Sequence, residues 1–320
     1  MKERWRSPAA RGAIALLAVL LLGAAWNGHG AFFRHSLHLT LWDSVSVVGL
    51  VAIGQCLVIL CGGIDLSVGA VLALCGTTFG GLQLMAGWHV LPAALAALAL
   101  GAAFGAGTGW LIARWRLQPF LATLAAMVIA RGLARFVPEL AGKPAGSKFM
   151  PPGAAVPESW QCLSGHSLLG LPTTGLLWLL VAASTWAFVG HTVPGRHLLA
   201  IGGNEEAAHL SGVATRRTKV LVYALCALLA ALAGVCTVAR DGFGDPGAGE
   251  QYELKAIAAV VVGGTSLQGG RGGIGLAVLG VFTLGYIDRI LSINSVAAHW
   301  QLVIQGAIIL AAVLLQQRRR

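Results

Sequence analysis

Apolar segments long enough to cross a bilayer follow one another along almost the whole chain, and this succession constrains the fold more than any other feature. A bilayer core about 30 Å thick takes roughly 20 helical residues. Ten such segments occur, at 12–32, 42–61, 66–86, 91–113, 119–138, 168–190, 216–239, 254–270, 273–291 and 297–315. Their apolar runs are continuous, whereas the strands of a membrane barrel alternate. We therefore predict an all-α polytopic membrane protein of about ten transmembrane helices, with 1–320 as a single domain.

The composition excludes an ordinary soluble domain of this length. Hydrophobic residues make up 57% of the chain and charged residues only 11%. The chain also contains 44 glycines, and small residues of this kind let membrane helices pack closely against one another. The lipid bilayer is accordingly the first partner that the sequence predicts.

The distribution of basic residues predicts the orientation of the chain. The net charge is +10, but the cations lie between apolar runs and at both ends rather than in one patch, so no nucleic-acid partner is expected. If there are ten crossings, 14 of the 22 basic residues fall on one side: Lys2, Arg4, Arg6, Arg11, Arg114, Arg116, Arg196, Arg216, Arg217, Lys219, Arg271, Arg318, Arg319 and Arg320. That side is predicted to be cytoplasmic, with both termini on it.

The N-terminal sequence has the pattern of a signal peptide, with a basic start followed by the apolar stretch Ala13 to Trp26. An uncleaved first membrane span has the same pattern. Because further spans follow, we predict that this segment is retained as the first span.

Catalytic and metal chemistry find no support in the sequence. The six cysteines lack metal-ligand spacing, and only Cys162 falls in a predicted loop. The histidines form no helical pair suited to a metal, and no nucleophile, base and orienting acid come together. We predict neither a metal site nor a catalytic residue.

Two loops stand out between the predicted spans. The outer loop, 139–167, is polar and contains Pro144, Pro151, Pro152 and Pro157.

The inner loop, 191–215, contains a helix signal at about 205–211. Asn204 is an N-cap candidate, Glu205 and Glu206 suit the positive helix end, Ala207 and Ala208 favour helix, and Gly212 can end it. A short cytoplasmic helix is predicted, and an ordinary surface connector is the alternative.

Asp65 lies in a glycine-rich turn between two long apolar runs and is the only acid between Asp43 and Glu139. A carboxylate in hydrocarbon is costly, so it is expected to face protein or a water-lined cavity. Gly62 and Gly63 permit non-helical backbone, which membranes tolerate where it is buried or lines a path. The segment is therefore predicted to border a route across the bilayer.

A short sequence similarity within the chain supports the prediction of that route. Gly62 to Ser67 and Gly263 to Gln268 share a Gly-Gly-x-x-Leu frame, and interrupted helices of related halves often meet at a transport path. Asp65 and Ser67, with Thr265 and Ser266 as counterparts, are the predicted path-adjacent residues. Helix-end capping without solute contact is the alternative for all four.

Arg131 is a cation within an apolar segment. It is interpreted as structural, either pairing with an acid such as Asp65 or Asp288 or extending toward a membrane interface.

Three separated motifs resemble those of the membrane permeases of bacterial ABC importers for ribose and related monosaccharides. They are Gly-Gly-Ile-Asp-Leu-Ser-Val-Gly at 62–69, Ala-Ile-Gly-Gly-Asn-Glu-Glu-Ala-Ala-His-Leu-Ser-Gly-Val at 200–213, and the stretch from Tyr252 to Gly272. The segments 123–134 and 300–310 are also similar. The resemblance spans nearly the whole chain and keeps the order of the motifs.

The resemblance implies a homodimeric permease of the bacterial inner membrane, paired with a cytoplasmic ABC ATPase and fed by a periplasmic sugar-binding protein. The short helix would then be the coupling helix that contacts the ATPase. Its residues are Asn204, Glu205, Glu206, Ala207, Ala208, Leu210, Ser211 and Gly212. The chain has no phosphate-binding loop of its own, so no cofactor is expected on it, and ATP and Mg²⁺ would bind the ATPase.

The position after Tyr-Glu-Leu departs from the family pattern. An acid is common there, whereas this chain has Lys255, which either pairs with Glu250, Glu253 or another acid or alters the outer vestibule. The solute therefore stays open. A branched-chain amino acid or a nucleoside is the nearest alternative; an ion-coupled transporter using Asp65 and a membrane enzyme are the others.

Overall fold

A computed structural model of the chain describes residues 8–150, 160, 163, 165 and 170–317. These residues form twelve α-helices: α1 (Pro8–Ala25), α2 (His35–Leu60), α3 (Val68–Leu84), α4 (Val90–Trp115), α5 (Pro119–Leu140), α6 (Thr173–His191), α7 (Val193–Gly203), α8 (Glu205–Leu210), α9 (Thr215–Asp241), α10 (Tyr252–Gly263), α11 (Ile274–Ile293) and α12 (Ala298–Gln317). A 3₁₀ turn at Ala31–Phe33 precedes α2. Over the same residues there is no β-strand, so the predicted all-α class is confirmed.

Each of the ten predicted crossings coincides with a helix, although not all of the helices are long. Within the described ranges, six are long and apolar enough to span a membrane, namely α2, α4, α5, α6, α9 and α11. The predicted span 254–270 is wrong at its end, because α10 stops at Gly263 and Gly264 takes a left-handed conformation with φ of 107°. The count of ten crossings and the cytoplasmic placement of both termini stay predictions.

Helices α2 and α9 form the centre of the bundle. The most apolar stretch of α2 is 83% buried and that of α9 is 67% buried. Glycines permit the close packing: Gly54 of α2 lies against Cys226, and Gly105 of α4 lies against the Tyr223 carbonyl. Such small residues let helix backbones approach where lipid offers no hydrophobic drive for association. The result is a rigid core with α3 and α4 packed on α9.

The C-terminal helices pack on this core through similar contacts. A Cβ at Gly263 of α10 would overlap the carbonyl of Leu276, and one at Gly280 of α11 would overlap that of Ala259. Trp178 of α6 occupies the space beside Gly49 of α2. Helices α10 and α11 therefore form a tight pair beside α2.

Only part of the predicted outer loop 139–167 belongs to the described residues. Before the gap, Phe149 and Gly244 exchange two backbone hydrogen bonds of 2.8 and 2.9 Å, which joins this loop to the α9–α10 connection. Pro151, Pro152, Pro157 and Cys162 lie outside the described residues, as do Lys2, Arg4, Arg6 and Arg318 to Arg320. The predictions about these positions stay untested.

Candidate functional site

Asp65 lies inside the protein, in the loop that separates α2 from α3, and only 1% of its surface is exposed. Its Oδ1 accepts hydrogen bonds from the Ser67 amide at 2.8 Å and from the Ser67 hydroxyl at 2.6 Å. The carboxylate therefore holds the start of α3 in the manner of a capping residue. Asp65 and Ser67 thus contact each other directly.

Two further side chains fix this loop to the bundle core. The Gln55 amide of α2 is oriented so that its Nε2 donates to the Asp65 carbonyl at 2.9 Å and its Oε1 accepts from the Asp65 amide at 3.2 Å. The Cys226 side chain of α9 also lies beside the Asp65 carboxylate. Asp65 consequently connects α2, α3 and α9.

Thr265 and Ser266 lie in the loop that joins α10 to α11. Thr265 is buried, and its side chain lies beside that of Cys56, the α2 residue that follows Gln55. The Ser266 amide donates to the Arg271 carbonyl at 2.9 Å, and the Ser266 hydroxyl accepts from the Gln268 amide at 3.3 Å. Adjacent residues of α2 thus hold the two motif loops.

The three motifs meet at a contact between glycine backbones, which we call the glycine junction: Gly62, Gly202, Gly269 and Gly270. The Gly270 amide donates to the Leu60 carbonyl at 3.0 Å. A Cβ on Gly202 of α7 would overlap that same carbonyl and the Gly270 nitrogen. A Cβ on Gly269 would lie 2.9 Å from the Cα atoms of Gly62 and Gly202, so no side chain fits.

The conformation of this contact also requires glycine. Gly62 has φ of 83°, Gly269 of 86° and Gly270 of 68°, a left-handed region that other residues seldom adopt. The end of α2, the end of α7 and the α10–α11 loop are therefore locked together without side chains between them. Sequence reasoning identified each motif but missed that they touch.

The predicted short helix is confirmed as α8. The Asn204 side chain accepts from the Ala207 amide at 2.9 Å, which is the expected N-cap bond, and Gly212 turns left-handed just beyond the helix with φ of 85°. Ala208 is buried, whereas Glu206 is exposed and Leu210 is 81% exposed. One face of α8 therefore packs against the rest of the protein. The other face is exposed and includes the apolar side chain of Leu210.

Two features of this region were missed. Residues 193–203 form helix α7, whose N-cap Thr192 accepts from the Gly195 amide at 3.2 Å. Glu205 forms an ion pair of 2.6 Å with Lys219 of α9. The predicted loop 191–215 is thus two consecutive helices tied to α9, rather than one helix in a connector.

A cavity of about 600 Å³ lies between α2, α10, α11 and α12. Its polar lining includes Asp43, Lys255, Asp288 and Gln305, and the Asp288 carboxylate accepts from Gln305 Nε2 at 2.7 Å. Within α2, Asp43 precedes Leu60 by 17 residues, which places Asp43 roughly 25 Å from the end of α2 at 1.5 Å per residue. The size falls within the usual range for small-molecule sites.

None of the four predicted path residues is among the described residues that line this cavity. In this conformation the geometry of Asp65 and Ser67 favours the capping alternative. Lys255 does line the cavity: its Nζ lies 5.8 Å from the centre of the Tyr252 ring, and the ion pairs of the described residues do not include it. Both alternatives for Lys255 stay open, because Asp288 of the same cavity is an acid that interacts electrostatically with it.

The interpretation of Arg131 requires a correction. Its Nη1 donates to the carbonyls of Pro246 and Ala248, each at 2.8 Å, and not to Asp65 or Asp288. A guanidinium carries several donors, and the turn after α9 offers free carbonyls to it. Arg131 therefore fixes α5 to the α9–α10 connection.

Comparison with known proteins matches residues 39–313 to the family model described as branched-chain amino acid transport system / permease component. The chain is 38% identical to the ribose import permease protein RbsC of Escherichia coli K12 over 96% of this chain and 93% of that protein. It is 40% identical to the protein of the same name from Bacillus subtilis 168 (88% and 84% covered). It is 31% identical to the xylose transport system permease protein XylH of Escherichia coli K12 (94% and 89%). A search of the solved structures found no match.

Proposed function

We propose that this chain, which belongs to the family of branched-chain amino acid transport system permease components, is the membrane subunit of an ATP-driven importer for a ribose-like monosaccharide. The protein is a multi-pass protein of the inner membrane. The similar proteins are named for ribose or xylose, which supports a sugar. The family description names branched-chain amino acids, which makes such an amino acid the second candidate solute.

Helix α8 is the proposed coupling helix, with its exposed face against a separate cytoplasmic ATPase. The cap by Asn204, the buried Ala208 and the Glu205–Lys219 ion pair hold it as a rigid unit. Glu206 and Leu210 remain exposed on it and supply a charged and an apolar contact. ATP and Mg²⁺ are assigned to the ATPase, because this sequence has no phosphate-binding loop.

The glycine junction is the single observation that supports this mechanism most strongly. Gly202 is the second-last residue of α7, three residues before α8 begins at Glu205, and it contacts the end of α2 and the α10–α11 loop directly. A movement of α8 therefore displaces two helices, α2 and α10, that line the cavity. Nucleotide and solute can drive such a movement only through different affinities for its two end states.

The remaining parts of the proposal follow from this arrangement. The cavity serves as part of the solute route, completed by a second copy of the chain in a homodimer and loaded by a periplasmic binding protein. Asp65, Ser67, Thr265 and Ser266 lie beside the route and fix the loops that border it. With the proposed ten crossings and both termini in the cytoplasm, α8 would lie on the ATPase side.

Reconstitution tests the proposal. The chain is purified with the ATPase that co-purifies with it and placed in liposomes with the matching binding protein; uptake of labelled ribose is expected to require ATP. Uptake of labelled leucine instead would select the amino-acid alternative. Uptake without the ATPase that disappears with the ion gradient would contradict the proposal in favour of a secondary transporter.

A further inference from the structure

A groove of about 560 Å³ lies where the end of α4 meets the beginning of α9, and its lining shares no residue with the cavity or the glycine junction. Arg114 contributes to it from the last turn of α4, and Arg216 and Arg217 contribute from the first turn of α9. All three side chains are exposed. One end of the groove is therefore strongly basic.

Close packing of the two helices places these residues together. A Cβ at Gly109 of α4 would lie 3.0 Å from the Cα of Val220 and 2.9 Å from the Cβ of Tyr223. Trp110 precedes Arg114 by four residues, and Leu221 follows Arg217 by four, so each pair shares one helix face. Each helix thus presents a cation at its end and an apolar side chain one turn further in.

The three arginines form no ion pair with the described residues, unlike the neighbouring Lys219. Lys219 pairs with Glu205 at 2.6 Å, whereas none of the ion pairs formed by the described residues includes Arg114, Arg216 or Arg217. A guanidinium binds phosphate oxygens with two parallel hydrogen bonds. The charge of the groove is therefore available to an anion from outside the chain.

The floor of the groove is apolar and faces outward. Trp110 is 51% exposed and Leu221 is 38% exposed, with Val220 and Ala224 beside them. The ring of Trp115 meets that of Trp110 edge-on at 5.0 Å, and aromatic side chains of this kind concentrate at membrane interfaces. From Arg217 to Ala224 the floor extends roughly 10 Å along the helix.

We propose that this groove binds an anionic phospholipid of the surrounding leaflet, with its phosphate on Arg114, Arg216 and Arg217 and an acyl chain along Trp110, Leu221 and Ala224. A free phosphate would use the cations but leave the apolar floor empty. A water-soluble protein surface would have to cover an apolar strip that continues along two membrane helices. The combination of basic end and apolar floor matches a lipid.

The test compares two double variants of equal charge in the purified protein. Arg216→Gln with Arg217→Gln removes cations of the groove, and Arg116→Gln with Arg196→Gln removes two exposed cations outside it. Thermal unfolding is measured in detergent during titration with phosphatidylglycerol, phosphatidylcholine or inorganic phosphate. Unfolding without added lipid establishes that each variant is folded, and native mass spectrometry counts retained lipids.

Phosphatidylglycerol is expected to raise the melting temperature of the parent protein and of the control, and its apparent affinity for the groove variant to fall by about tenfold or more. Phosphatidylcholine and inorganic phosphate are expected to have little effect. Equal stabilisation of all three proteins, no stabilisation of any, or the same shift with inorganic phosphate would overturn the proposal. So would a groove variant that binds lipid normally but loses the co-purifying ATPase.

Discussion

The backbone amide of Gly270, in the loop between α10 and α11, donates a hydrogen bond of 3.0 Å to the carbonyl of Leu60, the last residue of α2. Gly202 of α7 lies against both of these groups. The contact unites segments separated by more than 60 residues in the chain. It gives the proposed coupling helix a direct mechanical connection to the helices around the cavity.

Gly202→Ala is expected to abolish ATP-dependent uptake while insertion into the membrane is kept. The added methyl would overlap the Leu60 carbonyl and the Gly270 nitrogen, and overpacking of this kind costs about 1–3 kcal/mol. Gly203→Ala is the matched control, because no atom lies within 4 Å of a Cβ at that residue. Uptake, expression and melting temperature are measured for both. Equal behaviour of the two variants would show that the contact does not transmit movement.

The two acids at the start of α8 are expected to have different roles. Glu205→Lys breaks the ion pair with Lys219, and the swap with Lys219→Glu restores it, so ATPase co-purification should recover in the double variant. Glu206→Lys should weaken co-purification, and Lys219→Glu should not rescue it. Because the Glu205 side chain is 53% exposed, the effect on unfolding should stay below about 1 kcal/mol. Rescue of both variants, or of neither, would contradict this division.

Asp65→Asn and Ser67→Ala are expected to lower the stability of the protein rather than change its solute. Both disturb the buried hydrogen bonds at the start of α3, at a cost of about 1–3 kcal/mol each. Ser184→Ala is the control, since that hydroxyl donates only to Leu180 of its own helix on an exposed face. Thermal unfolding in detergent measures the loss. A changed solute preference with unchanged stability would instead place Asp65 in contact with the solute.

Lys255→Gln is expected to change the KM for uptake while leaving ATPase co-purification intact, because Lys255 lines the cavity and no residue of α8 does. Lys143→Gln is a suitable control: Lys143 also lies over an aromatic ring, that of Phe149 at 5.5 Å, but outside the cavity. Uptake is measured against solute concentration for both variants. An unchanged KM for Lys255→Gln would show that the cavity is not part of the solute route.

Local signals predicted the parts of the fold that depend on neighbouring residues. Asn204 and Gly212 mark the ends of α8 by cap and stop geometry that a few residues determine. The same kind of local signal is present at the start of α7. Thr192 is a suitable N-cap, and Pro194 and Gly195 follow it in the first turn. That helix was not predicted, because Pro194 and Gly195 are equally typical of a connecting loop.

Contacts between distant segments could not be read in the same way. The sequence singled out Gly62, Gly202 and Gly270 only as members of separate motifs, because a glycine records that no side chain fits and not which backbone approaches it. For Arg131 the sequence offered an acid partner or a membrane interface, whereas the carbonyls of Pro246 and Ala248 that it binds are not visible in a sequence. Both outcomes depend on tertiary packing.

Cysteine cross-linking at Leu210 tests the central claim most directly. Leu210 is 81% exposed on α8, so Leu210→Cys, in a background lacking the native cysteines, offers one reactive thiol. The account predicts a cross-link to the co-purifying ATPase, and labelling by a membrane-impermeant maleimide only after the cells are opened. Labelling of intact cells without any cross-link would contradict it.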